Sequence, residues 1–317
     1  MKAAIFTRYG APDVIELRDV GTPAPNDDEV RIAVRAASIN ALDYASVRGT
    51  PFAVRLFVGL RAPKETRLGV DVAGVVDAVG GNVTTFKPGD AVFGNCRGAF
   101  AESVCTKASS LVAKPDGVTF EEAASLPVAS FTALQALRKG NIATGHRVLV
   151  NGAAGGVGTF AVQLAKHFGA HVTGVTHTQT LELVKSLGAD VAIDYTRDDF
   201  TRGSERYDLI VDCHATHGLL RCRRVLKPDG VHLVIGTPMI SMMLKCAVLT
   251  AVGSRKVSLV MARRHPGDLA TIMQLVNDGK VRPVIDRRYR LDDIREAIAY
   301  VTEGHARGKV VVVVDTR

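Results

Sequence analysis

Hydrophobic positions change their spacing along the chain. Up to residue 115 they come in short runs broken by Gly and Pro. Lys2–Phe6, Glu29–Ala36, Gly74–Val79 and Ala91–Phe93 read as strands, with turns such as Lys87-Pro88-Gly89-Asp90 between them. Short strands at this spacing predict a barrel-like or sandwich domain. Near residue 119 the period becomes helical. Thr119-Phe120-Glu121-Glu122 has capping-box spacing, and an Ala/Leu-rich segment follows to Leu137, interrupted by Pro127. Arg147–Asn151 is a short apolar strand that leads into a glycine-rich turn. Beyond it, Val157, Phe160, Ala161, Leu164, Ala165 and Phe168 fall on one helical face, which Gly169 ends.

Strands at His171–Thr176, Val191–Asp194, Leu209–Cys213 and Val231–Ile235 then alternate with helical segments such as Leu181–Leu187. Apolar strands alternating with helices predict a parallel sheet covered on both faces. The tail returns to mixed structure, with a helix over Leu291–Glu303 and a closing strand over Lys309–Val314. The expected fold is therefore α/β: a doubly wound Rossmann domain at 123–262, inserted into a β-rich domain made of 1–122 and 263–317. A chain of 317 residues with 47% hydrophobic and 23% charged positions is long enough for two such cores.

Charge adds little. Lys and Arg exceed Asp and Glu by 8, but the basic residues are scattered and Trp is absent, so no nucleic-acid partner is expected. Five cysteines at wide spacing, with no CxxC, suggest neither a disulfide framework nor structural zinc. They suit a reducing, cytoplasmic setting. The N-terminus reads as a strand rather than a signal or transit peptide. Met239–Val252 is the most apolar stretch, interrupted by Lys245 and too short to span a bilayer. Three readings of it stay open: a lid for a hydrophobic acceptor with membrane association, a dimer interface, or a buried core helix.

The strongest chemical signal is Val148-Leu149-Val150-Asn151-Gly152-Ala153-Ala154-Gly155-Gly156-Val157-Gly158. Strand, glycine turn and helix N-terminus together form a cradle for a dinucleotide diphosphate. Backbone amides approach it where side chains are absent, which makes Ala154, Gly155, Gly156, Val157 and Gly158 candidate cofactor contacts. Ala153 stands at the first glycine position of the fingerprint, with Gly155 and Gly158 at the second and third. NAD sites place a carboxylate at the end of the second strand. Here that strand ends Thr176-His177-Thr178-Gln179, and the next acid is Glu182 inside the helix. These residues can donate hydrogen bonds to a 2′-phosphate, so NADP(H) is expected over NAD(H). Cys213 and His214, then Gly236 and Thr237, end the fourth and fifth strands, where open α/β sheets face their ligands.

Further segments carry a resemblance. These are Gly69-Val-Asp-Val-Ala-Gly-Val-Val-Asp-Ala-Val-Gly80, Phe86-Lys-Pro-Gly-Asp-Ala-Val-Phe-Gly94, Ala99-Phe-Ala-Glu102, Leu187–Tyr195 and Gly304–Val313. In this order they resemble the zinc-independent quinone oxidoreductase branch of the medium-chain dehydrogenase/reductase superfamily, and within it proteins similar to reticulon-interacting oxidoreductases. The resemblance implies a GroES-like catalytic domain plus a Rossmann domain, an active site in the cleft between them, and a homodimer. It also implies that Asn40 lies near the nicotinamide, Thr132 near the cofactor phosphates, Tyr195 near the adenosine ribose, and that Lys309 reaches the cofactor or sits on a strand surface. Tyr44, on the segment after Asn40, is a candidate to stack on the nicotinamide or hydrogen-bond the acceptor, or is a packing residue. Asp43 reads as a local cap.

The zinc branch carries an early ligand Cys, a Gly-His-Glu motif and a structural Cys cluster. This chain reads Ser38-Ile39-Asn40 and Gly69-Val70-Asp71 at those places and has no such cluster, so no zinc is expected. The implied activity is hydride transfer from NADPH to a quinone or related α,β-unsaturated carbonyl, a small hydrophobic acceptor. The alternatives are a 2-alkenal or enoyl C=C reductase and a non-catalytic NADPH-binding structural or regulatory protein. Nothing suggests a hydrolytic triad or a carboxylate pair.

Overall fold

The computed structural model describes residues 1–50, 52–215, 217–236, 256–263 and 265–315. Thr237 and the apolar Met239–Val252 segment lie outside the described residues. The chain divides into two compact units. One comprises Met1–Val128, Arg264–Asn277 and Pro283–Arg317, and the other Ala129–Arg263 with Asp278–Arg282.

In the first unit, β1 (Lys2–Ile5) pairs antiparallel with β2 (Glu16–Asp19). A larger sheet is built on β3 (Glu29–Ser38) and β4 (Asp71–Val79), with α1 (Ala41–Arg48) and α2 (Arg55–Val58) between them in the chain. It continues through β5 (Ala91–Asn95), β6 (Ser103–Lys107) and β7 (Leu111–Ala113). The helix predicted from Thr119 begins there. Glu122 N–H donates to Thr119 Oγ1 at 3.2 Å, and Thr119 N–H donates to the Glu122 carboxylate at 2.9 Å. The Ala/Leu-rich segment is two helices, α3 (Phe120–Ser125) and α4 (Pro127–Lys139), because Pro127 cannot continue the first but suits the opening position of the second.

The second unit contains the alternating pattern. β8 (Arg147–Asn151), α5 (Gly156–His167), β9 (His171–Thr176), α6 (Leu181–Ser186), β10 (Val191–Asp194), β11 (Tyr207–Asp212), α7 (Leu219–Arg224), β12 (Leu226–Ile235) and β13 (Lys256–Val260) follow in order. The sheet order is β10-β9-β8-β11-β12-β13 and every pairing is parallel. The chain reverses its winding at β8 and β11, which makes their carboxyl ends the switch point where such sheets bind ligands. Helix α5 is buried from Gly158 to Ala165, a wider buried face than its apolar stripe alone predicts.

The chain then returns to the first unit through α8 (Pro266–Asn277), β14 (Ile285–Arg290), α9 (Ile294–Thr302) and β15 (Lys309–Val313). β15 pairs antiparallel with β3, and β14 runs parallel along its other edge. Val30, Ile32, Val34, Val72, Val76, Val92, Val310 and Val312 fill the core of this unit together with Ile294 and Ile298 of α9. Among the described residues no helix is long and apolar enough to cross a membrane.

Candidate functional site

The glycine turn has a specific steric basis. Gly152 holds φ +79°, so it is Gly152, and not Ala153, that makes the left-handed bend after β8. A Cβ on Gly158 would stand 2.0 Å from the Gly152 carbonyl oxygen, so the helix start packs directly on the bend. Gly155 is the N-cap of α5 and brings no side-chain cap to it. A Cβ there would meet only that same carbonyl oxygen, at 3.3 Å, and otherwise open space. The amides of Gly156, Val157 and Gly158 open α5, where intrahelical partners are lacking and the helix dipole favours an anion. Ala154 is buried behind the turn, and Val157 is half-buried.

Cys213 and His214 lie beside this bend, their Cβ atoms 3.5 and 3.6 Å from the Cβ position of Gly152. Burial pushes the Cys213 thiol far above its ordinary range, so it supplies no thiolate. Behind them stands a network that composition did not reveal. Asp212 accepts from Asn151 Nδ2 at 2.8 Å and from the backbone N–H of Ala215 at 2.8 Å, and it lies 3.0 Å from His232 Nε2. Burial acts to raise the Asp212 carboxyl. The hydrogen bond and charge of His232, with the Ala215 amide and Asn151, outweigh it and hold the group below the usual carboxylate range. The network ties the ends of β8, β11 and β12 together under the turn. Gly236, just past β12, is exposed.

At the end of β9 the four expected donors separate. Thr176 is buried and its hydroxyl is 2.6 Å from that of Thr180. Thr178 donates to Asp194 at 2.6 Å. His177 and Gln179 have exposed side chains, and the His177 ring meets the exposed Tyr195 edge-on at 5.8 Å. The fold also brings Asp194 and Arg197 here, 3.6 Å apart. The sequence reading missed both, because Asp194 ends β10 and Arg197 lies in the turn after it, and they reach this point only through the β9–β10 pairing. Thr132 is buried within α4.

In the other unit the predicted residues Asn40, Asp43 and Lys309 converge. Asn40 is the N-cap of α1. Its Nδ2 donates to Asp71 at 2.9 Å and its Oδ1 accepts from Lys309 Nζ at 2.6 Å. Both ends of the amide are therefore engaged. Lys309 is 3% exposed, so it lies neither on a strand surface nor in solvent. Its Nζ also donates to the Ile39 carbonyl at 3.0 Å and lies 3.7 Å from Asp71. Asp43 accepts the Asn40 backbone N–H at 2.7 Å, the cap expected of it. Tyr44 follows on α1, half-buried against the core of this unit. Sequence inspection passed over Asp71 except as a departure from the zinc motif, yet it is the centre of this cluster.

This group does not fit zinc. Asn40 and Val70 offer no thiolate or imidazole, and an ammonium already stands beside the Asp71 carboxylate. Elsewhere among the described residues, ligand atoms of Asp212, Cys222 and His232 lie within 4.8 Å of one another. The hydrogen bonds given above already engage Asp212 and His232.

Comparison with known proteins agrees with this architecture. Residues 26–116 match the alcohol dehydrogenase GroES-like domain family, and residues 187–312 match a family described as zinc-binding dehydrogenase. The chain is 35% identical over 327 residues to the 2-methylene-furan-3-one reductase of Solanum lycopersicum, covering 98% of this chain and 79% of that one. It is 33% identical to the mitochondrial NAD(P)H oxidoreductase RTN4IP1 of Mus musculus, covering 98% and 89%. Among solved structures it is similar to the quinone oxidoreductase from Coxiella burnetii, with 31% identity, a TM-score of 0.90 and 99% of each chain covered. The GroES-like unit, the switch-point turn and these whole-chain relationships lead to one conclusion: the chain belongs to the quinone oxidoreductase-like oxidoreductases of the medium-chain dehydrogenase/reductase superfamily.

Proposed function

We propose that this chain transfers a hydride from NADPH to a quinone or an α,β-unsaturated carbonyl acceptor without a metal ion. The observation that carries the reading is the opening above Gly155, bounded by the start of α5 and the bend at Gly152, where side chains leave room for a diphosphate. Bound there, the reduced nicotinamide would supply the hydride. The chain's own part is to bind and orient. The amides of Gly156, Val157 and Gly158 would hold the diphosphate, with Ala154, Cys213, His214 and Gly236 bordering it and Thr132 near the phosphates. His177 and Gln179 face the 2′-phosphate and Arg197 adds a cation, while Tyr195 lies against the adenosine.

NADPH is favoured because the nearby carboxylate, Asp194, is engaged by Thr178 and Thr196 and stands beside Arg197. In the other unit Tyr44 orients the acceptor oxygen and supplies the proton that follows the hydride. Asn40, engaged at both ends of its amide, holds the start of α1 in place, and Lys309 holds Asn40. A quinone or enone accepts hydride without Lewis-acid activation, which suits a site whose residues do not fit zinc.

The relative from Solanum lycopersicum, named for reduction of a methylene-furanone, favours a second reading in which the acceptor is a C=C bond conjugated to a carbonyl. The free cysteines Cys96, Cys105, Cys213 and Cys222 support a reducing, cytoplasmic setting, and we take the working assembly to be a homodimer. The test is to follow absorbance at the reduced-nicotinamide band with purified protein, NADPH or NADH, and a panel of quinones, alkenals and enones. Turnover preferring NADPH supports the reading. Tight NADPH binding with no turnover on any acceptor overturns it and favours a non-catalytic role.

A further inference from the structure

Three charged side chains meet in the GroES-like unit with almost no contact with water. Asp43, Asp71 and Lys309 are 3%, 0% and 3% exposed. Two carboxylates and one ammonium leave one negative charge uncompensated in a buried place, which is costly. One carboxyl is therefore the member that gives up and takes back a proton, and the hydrogen bonds indicate which.

Asp71 is saturated. Its Oδ1 accepts from Asn95 Nδ2 at 2.9 Å and from the Val128 backbone N–H at 3.2 Å. Its Oδ2 accepts from Ser38 Oγ at 3.1 Å and Asn40 Nδ2 at 2.9 Å, with Lys309 Nζ at 3.7 Å. An ionised carboxylate has about four acceptor positions. A proton on Asp71 would turn one of these donors into a buried group without a partner. Asp43 has only the backbone N–H groups of Asn40 and Gly69.

We infer that Asp43, and not Asp71, is the proton-exchanging member of this cluster, and that its ionised form is a positioning device for the turn of α1 that carries Tyr44. The inference rests on the proposed oxidoreductase reading for its link to turnover. When Asp43 loses its proton to solvent, its carboxylate closes the N-terminal box of α1 through the charge-assisted bond to Asn40 N–H. When protonated it is a weaker acceptor and the turn loosens. Burial is the largest influence on each member. It pushes Asp43 up to about 7, raises Asp71 and lowers Lys309. The charged groups acting on Asp43 are Asp71 from β4 and Lys309 from β15. The helix also packs on the turn Pro12–Val14 and on α9, whose Asp13, Arg295 and Glu296 are exposed.

Infrared difference spectra of the cofactor-free protein between about pH 6 and about pH 8 test the proton directly. Wild type should lose one protonated-carboxyl band, Asp43→Asn should show no such loss, and in Asp71→Asn the loss should move to lower pH because the carboxylate that raises Asp43 is gone. Turnover with NADPH should rise about fivefold over the same range in wild type, the factor expected of a helix cap, and stay flat at the acid level in Asp43→Asn. A band loss that persists in Asp43→Asn, or a pH rise that persists there, overturns the inference. So does a wild-type spectrum in which no carboxyl titrates in this range, a result that needs no variant to fold. Absence of turnover with every acceptor defeats the proposed function instead and leaves the spectroscopic result to decide the proton.

Discussion

The Cβ position of Gly158 lies 2.0 Å from the carbonyl oxygen of Gly152. The obstacle is backbone, which cannot swing aside as a side-chain tip does. Gly158→Ala should destabilise the protein by roughly 3 kcal/mol and abolish NADPH binding. Gly155→Ala should differ, because its Cβ meets one oxygen at 3.3 Å and otherwise occupies the space proposed for the diphosphate. It should lose affinity at least about tenfold with little change in melting temperature. Thermal unfolding paired with a titration of NADPH fluorescence separates the two outcomes.

Asp212 and His232 form a second relationship with a pH consequence. The folded carboxyl lies below its unfolded value, so its contribution is present above the unfolded value near 4 and is lost as pH falls through the folded one. The acid arm of stability against pH should therefore be shallower in Asp212→Asn. The variant should also lose about 3 kcal/mol at neutral pH, because a buried imidazole loses its charged partner. Chemical denaturation across a pH series measures both. An unchanged acid arm would show that this pair does not govern it.

Gln163 of α5 holds a distant piece of chain. Its Nε2 donates to the Arg282 carbonyl at 3.0 Å, and its Oε1 accepts the Arg282 N–H at 2.9 Å. Gln163→Leu breaks both bonds and leaves part-buried backbone groups without these partners, so a loss of about 2 kcal/mol is expected. Hydrogen exchange at the amide of residue 282 should rise with it.

Arg197 tests the choice of coenzyme. Arg197→Ala should raise KM for NADPH about tenfold and leave KM for NADH unchanged, since only the former carries a 2′-phosphate for the guanidinium to meet. Equal effects on both coenzymes would remove Arg197 from the proposed phosphate site.

Local pattern was enough for β8, β9 and β10, whose predicted and observed limits coincide. β8 and β9 are short runs buried in the sheet, and β10 pairs with β9 along its edge. The glycine turn was equally legible, although its alignment put Ala153 at the first glycine position and gave no sign that Gly152 makes the left-handed bend. β14 was missed because Ile285–Arg290 carries three arginines and little alternation. It is a strand because β15 supplies its hydrogen-bond partner. β12 was read too short, starting at Val231, because Pro228-Asp229-Gly230 looks like a turn. The strand runs through it from Leu226, and its pairing with β11 absorbs the irregularity as a register shift. α8 did have a legible signal in Leu269, Ile272 and Met273 at helical spacing, and it went unread.

Side-chain chemistry followed the same division. A helix cap such as Thr119 with Glu122, or Asn40 with Asp43, acts across three residues, so its chemistry is written in neighbouring letters. Lys309 meets Asn40 across 269 positions of chain, and Asp71 meets Asn40 across 31. Nothing in residue type or spacing announces such meetings. They exist because β3, β4 and β15 lie side by side in one sheet and carry these groups to a common buried point, where the lack of water gives each charge its effect.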